Sequence, residues 1–168
     1  MVKNKLESKF SKAIKEDPML WGMKLQNNPL AHTNTPGDFL LSYYTTGEEL
    51  QLNIALVECK QVSWKNGEPQ RLNFKRLKQH FDLLTFKNFR KFHHSYYLIA
   101  YLDERFFENA DVFLVPVGYM DGIINSHTKQ SLNRADAKRL LNAFKINITK
   151  EHELLEKLTK EAIEWTQN

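Results

Sequence analysis

The chain has 168 residues, 42% of them hydrophobic and 26% charged, with eleven Phe, six Tyr, three Trp and one cysteine. This composition excludes a disordered chain, a collagen and a disulfide scaffold, and the length suits one ordinary domain. The formal charge of +4 is too small to establish a polyanion partner, so its distribution along the chain matters more than its sum.

Lys3–Glu16 reads as a helix, because Leu6, Phe10, Ala13 and Ile14 share one arc at helical spacing and Pro18 follows. A short strand is expected around Trp21–Gln26. His32 to Gly37 is a turn signal, with Pro presetting φ and Gly accepting a positive φ. Asp38–Thr45 and Leu50–Val62 are strands joined through Thr46-Gly47-Glu48-Glu49 as a hairpin. From Ile54 the second strand is apolar on both faces, as in a central strand covered on both sides. A polar loop follows, and Asn73 is placed to cap a helix from Phe74 to about Arg90 with Phe74, Leu77, Phe81 and Leu84 on one face. Ser95–Leu102 and Asp111–Val117 are further strands, and Asn133–Phe144 and Glu151–Thr166 are helices. The order implies an α/β or α+β fold with a mixed central sheet. Residues 1–148 form one domain, and residues 149–168 a C-terminal helix packed on it or at a dimer interface.

Tyr96–Leu102 is the longest apolar run, far short of the ~20 residues of a membrane helix, so no membrane partner is expected. The first residues carry no apolar signal core. The lone Cys59 cannot form an internal disulfide, which suits a reducing, cytoplasmic setting.

The hairpin carries the candidate chemistry. Paired residues of an antiparallel hairpin have a constant index sum, and Asp38 with Glu58 centres on the Thr46–Glu49 turn. A simple hairpin therefore sets the two carboxylates opposite each other, with Cβ atoms ~5 Å apart. Lys60, two residues on, projects to the face of Glu58. Opposed carboxylates repel unless a cation lies between them, and Mg²⁺ or Mn²⁺ suits oxygen ligands, to which the Cys59 carbonyl adds one. Such an ion lowers the pKa of a coordinated water, and Lys60 can orient that water or stabilise charge on a phosphate. Glu58 and Lys60 interrupt an apolar run, which separates them from an ordinary solvated ion pair.

Pro36-Gly37-Asp38-Phe39 followed by Val57-Glu58-Cys59-Lys60 resembles the signature of PD-(D/E)XK nucleases. The order of elements over about residues 3–120 resembles RecU-type Holliday-junction resolvases more narrowly. It includes the apolar-basic stretch Arg71-Leu72-Asn73-Phe74-Lys75-Arg76-Leu77-Lys78-Gln79-His80. The resemblance implies a restriction-endonuclease-like core, metal binding by Asp38 and Glu58, and a catalytic Lys60. It further implies a first-helix glutamate, Glu7, and a helix glutamine, Gln79, at the site, and a homodimer acting on DNA. No segment corresponds to the long stalk of the RecU-type enzymes. A restriction-like or mobile-element endonuclease acting on duplex DNA therefore stays open, as does a non-catalytic nucleic-acid-binding module with the same fold.

Between Gln61 and Phe92 there are eight Lys or Arg and two acids, a balance of +6 that exceeds the whole-chain charge. Lys65, Arg71, Lys75, Arg76 and Lys78 follow the candidate strand and would hold a phosphate backbone, with Trp64 stacking on a base. His93-His94 lacks a second pair at zinc-ligand spacing. The Cys59 side chain should point away from Glu58 and Lys60, into the core.

Overall fold

The computed structural model describes residues 5–26, 35–46, 49–63, 68, 70–103, 106–126 and 128–166. Its elements are α1 (Lys5–Glu16), β1 (Leu20–Lys24), β2 (Phe39–Thr46), β3 (Leu50–Val62), β4 (Leu72–Asn73), α2 (His80–Phe89), β5 (His93–Asp103), β6 (Phe106–Pro116), α3 (Val117–Ser126), β7 (Ser131–Leu132), α4 (Arg134–Leu140) and α5 (Glu153–Thr166). Five strands form one sheet in the order β1-β2-β3-β5-β6, and β4 pairs with β7 separately. Only the β3–β5 pair is parallel, so the sheet is mixed and the fold is α/β, as the element order implies.

β3 lies at the centre because it can be buried on both faces. On one face Ala55, Val57 and Cys59 pack with Phe39, Leu41 and Tyr43 of β2 beneath α1 and α5, which contribute Leu6, Phe10, Ile14, Leu154 and Leu158. On the other face Leu56, Tyr97, Ile99, Tyr101, Phe113 and Val115 meet Leu83 of α2, Val117, Met120 and Ile123 of α3, and Ala137 of α4. Buried Asp111 on β6 accepts from Arg134 Nε (2.6 Å) and Lys145 Nζ (3.0 Å), tying the sheet edge to α4 and the chain after it.

Several local expectations are corrected. The helix expected over Phe74–Arg90 is broken in two. Asn73 does cap its start, accepting from the Lys75 N–H at 3.0 Å, but only a 3₁₀ turn follows over Phe74–Arg76. The chain then resets before α2 begins at His80. That break shifts the helical phase, so Leu83 is buried while Phe81 is 76% exposed. The Asn133–Phe144 helix likewise divides into α4 and a 3₁₀ turn at Asn142–Phe144. Helix α3 lies where the sequence reading places no element after the strand ending at Val117; Gly118 and Gly122 within it lower its helix propensity. Gly37 has no positive φ; it provides space, since a Cβ there would stand 3.0 Å from Leu56 Cγ.

Phe10 is fully buried and meets Phe39 edge-on at 5.1 Å. Phe10→Ala should lower the unfolding free energy by ~3–5 kcal/mol in urea titrations, against ~0.5 kcal/mol or less for Lys12→Ala on the exposed side of α1. Equal losses would contradict this packing.

Candidate active site

The hairpin has the register that its index sum requires. Phe39 pairs with Val57, Leu40 with Leu56, and so on without a bulge to Thr46 with Leu50. At Asp38 the pairing departs from that register by one residue: its N–H donates to the carbonyl of Val57 (2.9 Å), which already faces Phe39, while its own carbonyl accepts from the Leu25 N–H of the neighbouring segment (2.7 Å). The backbone of Asp38 is thus clamped between neighbouring segments. Its side chain is fixed as well, because the Cys59 N–H donates to Oδ2 at 2.7 Å. N–H and C=O of one residue leave an extended strand on the same edge, so the Cys59 carbonyl points to the edge where Asp38 lies. The Cys59 thiol sits in the opposite core, where burial raises its pKa well above the usual range.

Glu58 is only 3% exposed, and its Oε1 accepts from Lys60 Nζ at 2.6 Å. Its carboxyl also comes within hydrogen-bonding reach of Asp38. Burial, reinforced by the charge of Asp38 and opposed by Lys60, pushes the Glu58 pKa up to about 7. Burial likewise raises Asp38, with the Cys59 N–H opposing and the charge of Glu7 adding to the rise. Two carboxyls both held above their ordinary range require a proton or a cation to be comfortable.

The donors present are carboxylate and carbonyl oxygens, which fit a hard divalent ion such as Mg²⁺ or Mn²⁺. Among the described residues, no three His, Cys, Asp or Glu side chains form a metal-binding group. The residues that could hold such an ion are Asp38 and Glu58, with the Cys59 carbonyl. Mg²⁺ commonly binds through only one or two carboxylates. Glu7 reaches the neighbourhood from α1 but is ion-paired with Lys24 of β1, next to Asp38. Gln79 immediately precedes α2; its Oε1 is buried and accepts no hydrogen bond, and among the described residues no hydrogen bond joins it to Asp38, Glu58 or Lys60.

Of the expected phosphate-binding residues, Arg71 and Arg76 join Lys60, Gln61 and Asn73 around a cleft of about 380 Å³. Lys75 and Lys78 are exposed on the connection before α2. Trp64 and Lys65 lie outside the described residues.

Sequence reasoning missed a polar chain beside Glu58. Tyr97 is the register partner of Glu58 across β3–β5 and is fully buried. Its hydroxyl lies 3.0 Å from His80 Nδ1, and His80 Nε2 lies 2.9 Å from Asp121 of α3. The charge of Glu58 and burial both raise the Tyr97 pKa, burial foremost, so the phenol stays protonated. Tyr97 was masked by the apolar run around it, and Asp121 by the unforeseen α3. Lys24 was equally unmarked, at the end of an edge strand.

Neither a family model nor a curated protein matches this sequence, so what the site can do follows from its geometry.

A carboxyl whose folded pKa exceeds its unfolded value of 4.5 favours folding most where it is protonated. The contribution of Glu58 should therefore fall as pH rises from about 4.5 through about 7 and be flat beyond. Carbon-13 titration of the metal-free protein should show Glu58 near 7, lower in Asp38→Asn and higher in Lys60→Met. An ordinary glutamate value insensitive to both substitutions would contradict the buried pair.

Proposed function

We propose that the chain is a metal-dependent endodeoxyribonuclease that hydrolyses phosphodiester bonds, with branched DNA such as a four-way junction as its favoured substrate. The observation that carries this reading is the pairing of half-buried Asp38 with buried Glu58, with Lys60 Nζ 2.6 Å from Glu58 and lining a cleft with Arg71 and Arg76. Neighbouring carboxylates withdrawn from water are costly without a cation, and Lys60 links this pair to a cleft where cationic side chains can present a phosphate.

Asp38, Glu58 and the Cys59 carbonyl would hold Mg²⁺ or Mn²⁺, whose contribution is a lowered pKa for coordinated water and neutralisation of charge at the phosphate. Lys60 has three N–H donors and directs one of them to Glu58. Its ammonium is therefore anchored, yet able to donate to a phosphate oxygen as negative charge builds there. Arg71 and Arg76 position the backbone without reading sequence. Paired incisions at a junction require two copies of one active site, so the proposal includes a homodimer.

Nicking of labelled four-way junctions and of plain duplex should require Mg²⁺ or Mn²⁺. Asp38→Asn and Lys60→Ala should each slow it ~100-fold or more while leaving DNA binding in place. Nicking that survives both substitutions would remove these residues from the chemistry. Binding without cleavage in any divalent metal would make the domain a binding module, and equal rates on both substrates would make duplex DNA the substrate.

A further inference from the structure

Part of the sheet is bare where it is strongly apolar. Side chains alternate along a strand, and register partners share a face. Trp21 of β1 therefore shares a face with Ser42 of β2 and Ile54 of β3. Met23 joins Leu40 and Leu56 on that face, Tyr44 joins Leu52, and Thr46 joins Leu50. None of these positions is charged, although 26% of the chain is. Leu56 itself is buried with the layer that contains α2 and α3, which pack over β5 and β6. Towards β1 the same face opens to solvent, and Trp21, Met23, Tyr44, Leu50 and Leu52 are each between 42% and 67% exposed.

The three strands are not loose there. On their other face Leu20, Leu41, Tyr43 and Ala55 are buried beneath α1 and α5, and β1 pairs with β2 through all five of its residues. The bare face is thus a firm surface that is covered from behind. Single exposed apolar residues are ordinary, but a contiguous patch of them marks an interaction site. Five side chains of this size, about half exposed, present on the order of 500 Å². That equals the apolar share, about 65%, of the ~800 Å² that each subunit gives to a standard interface.

The absence of charge selects what covers the face. A nucleic-acid backbone needs cations along its path, and these positions offer none. Interfaces with transient partners are about as polar as the remaining surface, whereas homodimer interfaces are more apolar. In a two-fold interface each patch meets its own copy, and an uncharged patch does so without like-charge repulsion. The C-terminal helix α5 is not left over for this role, since its Leu154 and Leu158 are buried in the core of the same chain.

We propose that the β1–β2–β3 face is the interface of a two-fold homodimer, with the faces of two copies packed against each other. Sheets packed in this way lie ~10 Å apart and interleave their side chains. Trp21 and Tyr44 have the largest exposed rings on the face and anchor the contact. The dimer is argued from this face alone and holds whether or not the chain cuts DNA. To the nuclease reading, which calls for two copies, it supplies the surface that joins them.

The test is the oligomeric state of the full chain, measured by sedimentation velocity over a range of concentrations. The parent should dimerise reversibly. Trp21→Glu and Leu52→Glu each put a charge at an exposed position, so both should melt close to the parent while weakening the dimer ~30-fold or more. Glu156→Lys, at an exposed position of α5, should leave the dimer intact. A parent that stays monomeric at ~0.1 mM, a dimer that survives both Trp21→Glu and Leu52→Glu, or a dimer lost only in Glu156→Lys would overturn the proposal. Cleavage enters none of these readouts, so a dimer without nicking activity would count against the nuclease reading and not against this interface.

Discussion

The arrangement depends on one register. The β2–β3 hairpin pairs without a bulge from Thr46–Leu50 to Phe39–Val57, and this register, completed by the bonds of Asp38 to Val57 and Cys59, brings Asp38 to the end of β3 that carries Glu58. A slip by one residue would turn Glu58 and Lys60 into the core face now filled by Val57 and Cys59, and would bring the thiol to the site. The alternation of β3 holds that register. Ala55, Val57 and Cys59 are buried under α1 and α5, while Leu56 is buried under the opposite layer. The same hydrophobic pattern that builds the core therefore determines where the two carboxyls go.

Burial gives the pair its chemistry. Exposed to water, Asp38 and Glu58 would be ordinary surface acids. Withdrawn in part or wholly from water, both are pushed up in pKa, and Lys60 donates to Glu58. The fold keeps this strained group because the Cys59 N–H and the flanking backbone bonds hold Asp38 in place. Outside the pair, the positive charge of the segment after β3 is divided by the fold. Arg71 and Arg76 come to the Lys60 cleft, whereas Lys87, Arg90 and Lys91 are carried by α2 to the far end of β5. A single basic stretch in the sequence thus becomes two separate groups of cations.

The sheet and the carboxylate pair were legible because both follow from short-range rules. Strand periodicity located β2, β3 and β5, and the arithmetic of a hairpin gave the register as far as Phe39 against Val57, whereas the one-residue shift at Asp38 depends on its contact with the neighbouring segment at Leu25. The α2 region was less legible, since nothing local announces that the chain leaves its helical path between Leu77 and Gln79, and that break decides that Phe81 faces outward. Helix α3 was hidden because Gly118 and Gly122 give it a weak local helix signal, and packing of Val117, Met120 and Ile123 on the sheet overrides that. The polar chain from Tyr97 through His80 to Asp121 spans three elements, and only tertiary packing brings its members together.

The central claim is that Asp38 and Glu58 form a divalent-metal site that Lys60 serves. The most direct measurement is an anomalous-scattering map from crystals of the protein soaked in Mn²⁺. A peak within coordination distance of both carboxylates and the Cys59 carbonyl is the predicted result. Manganese bound elsewhere, with Asp38 and Glu58 left to Cys59 and Lys60 alone, would contradict the account.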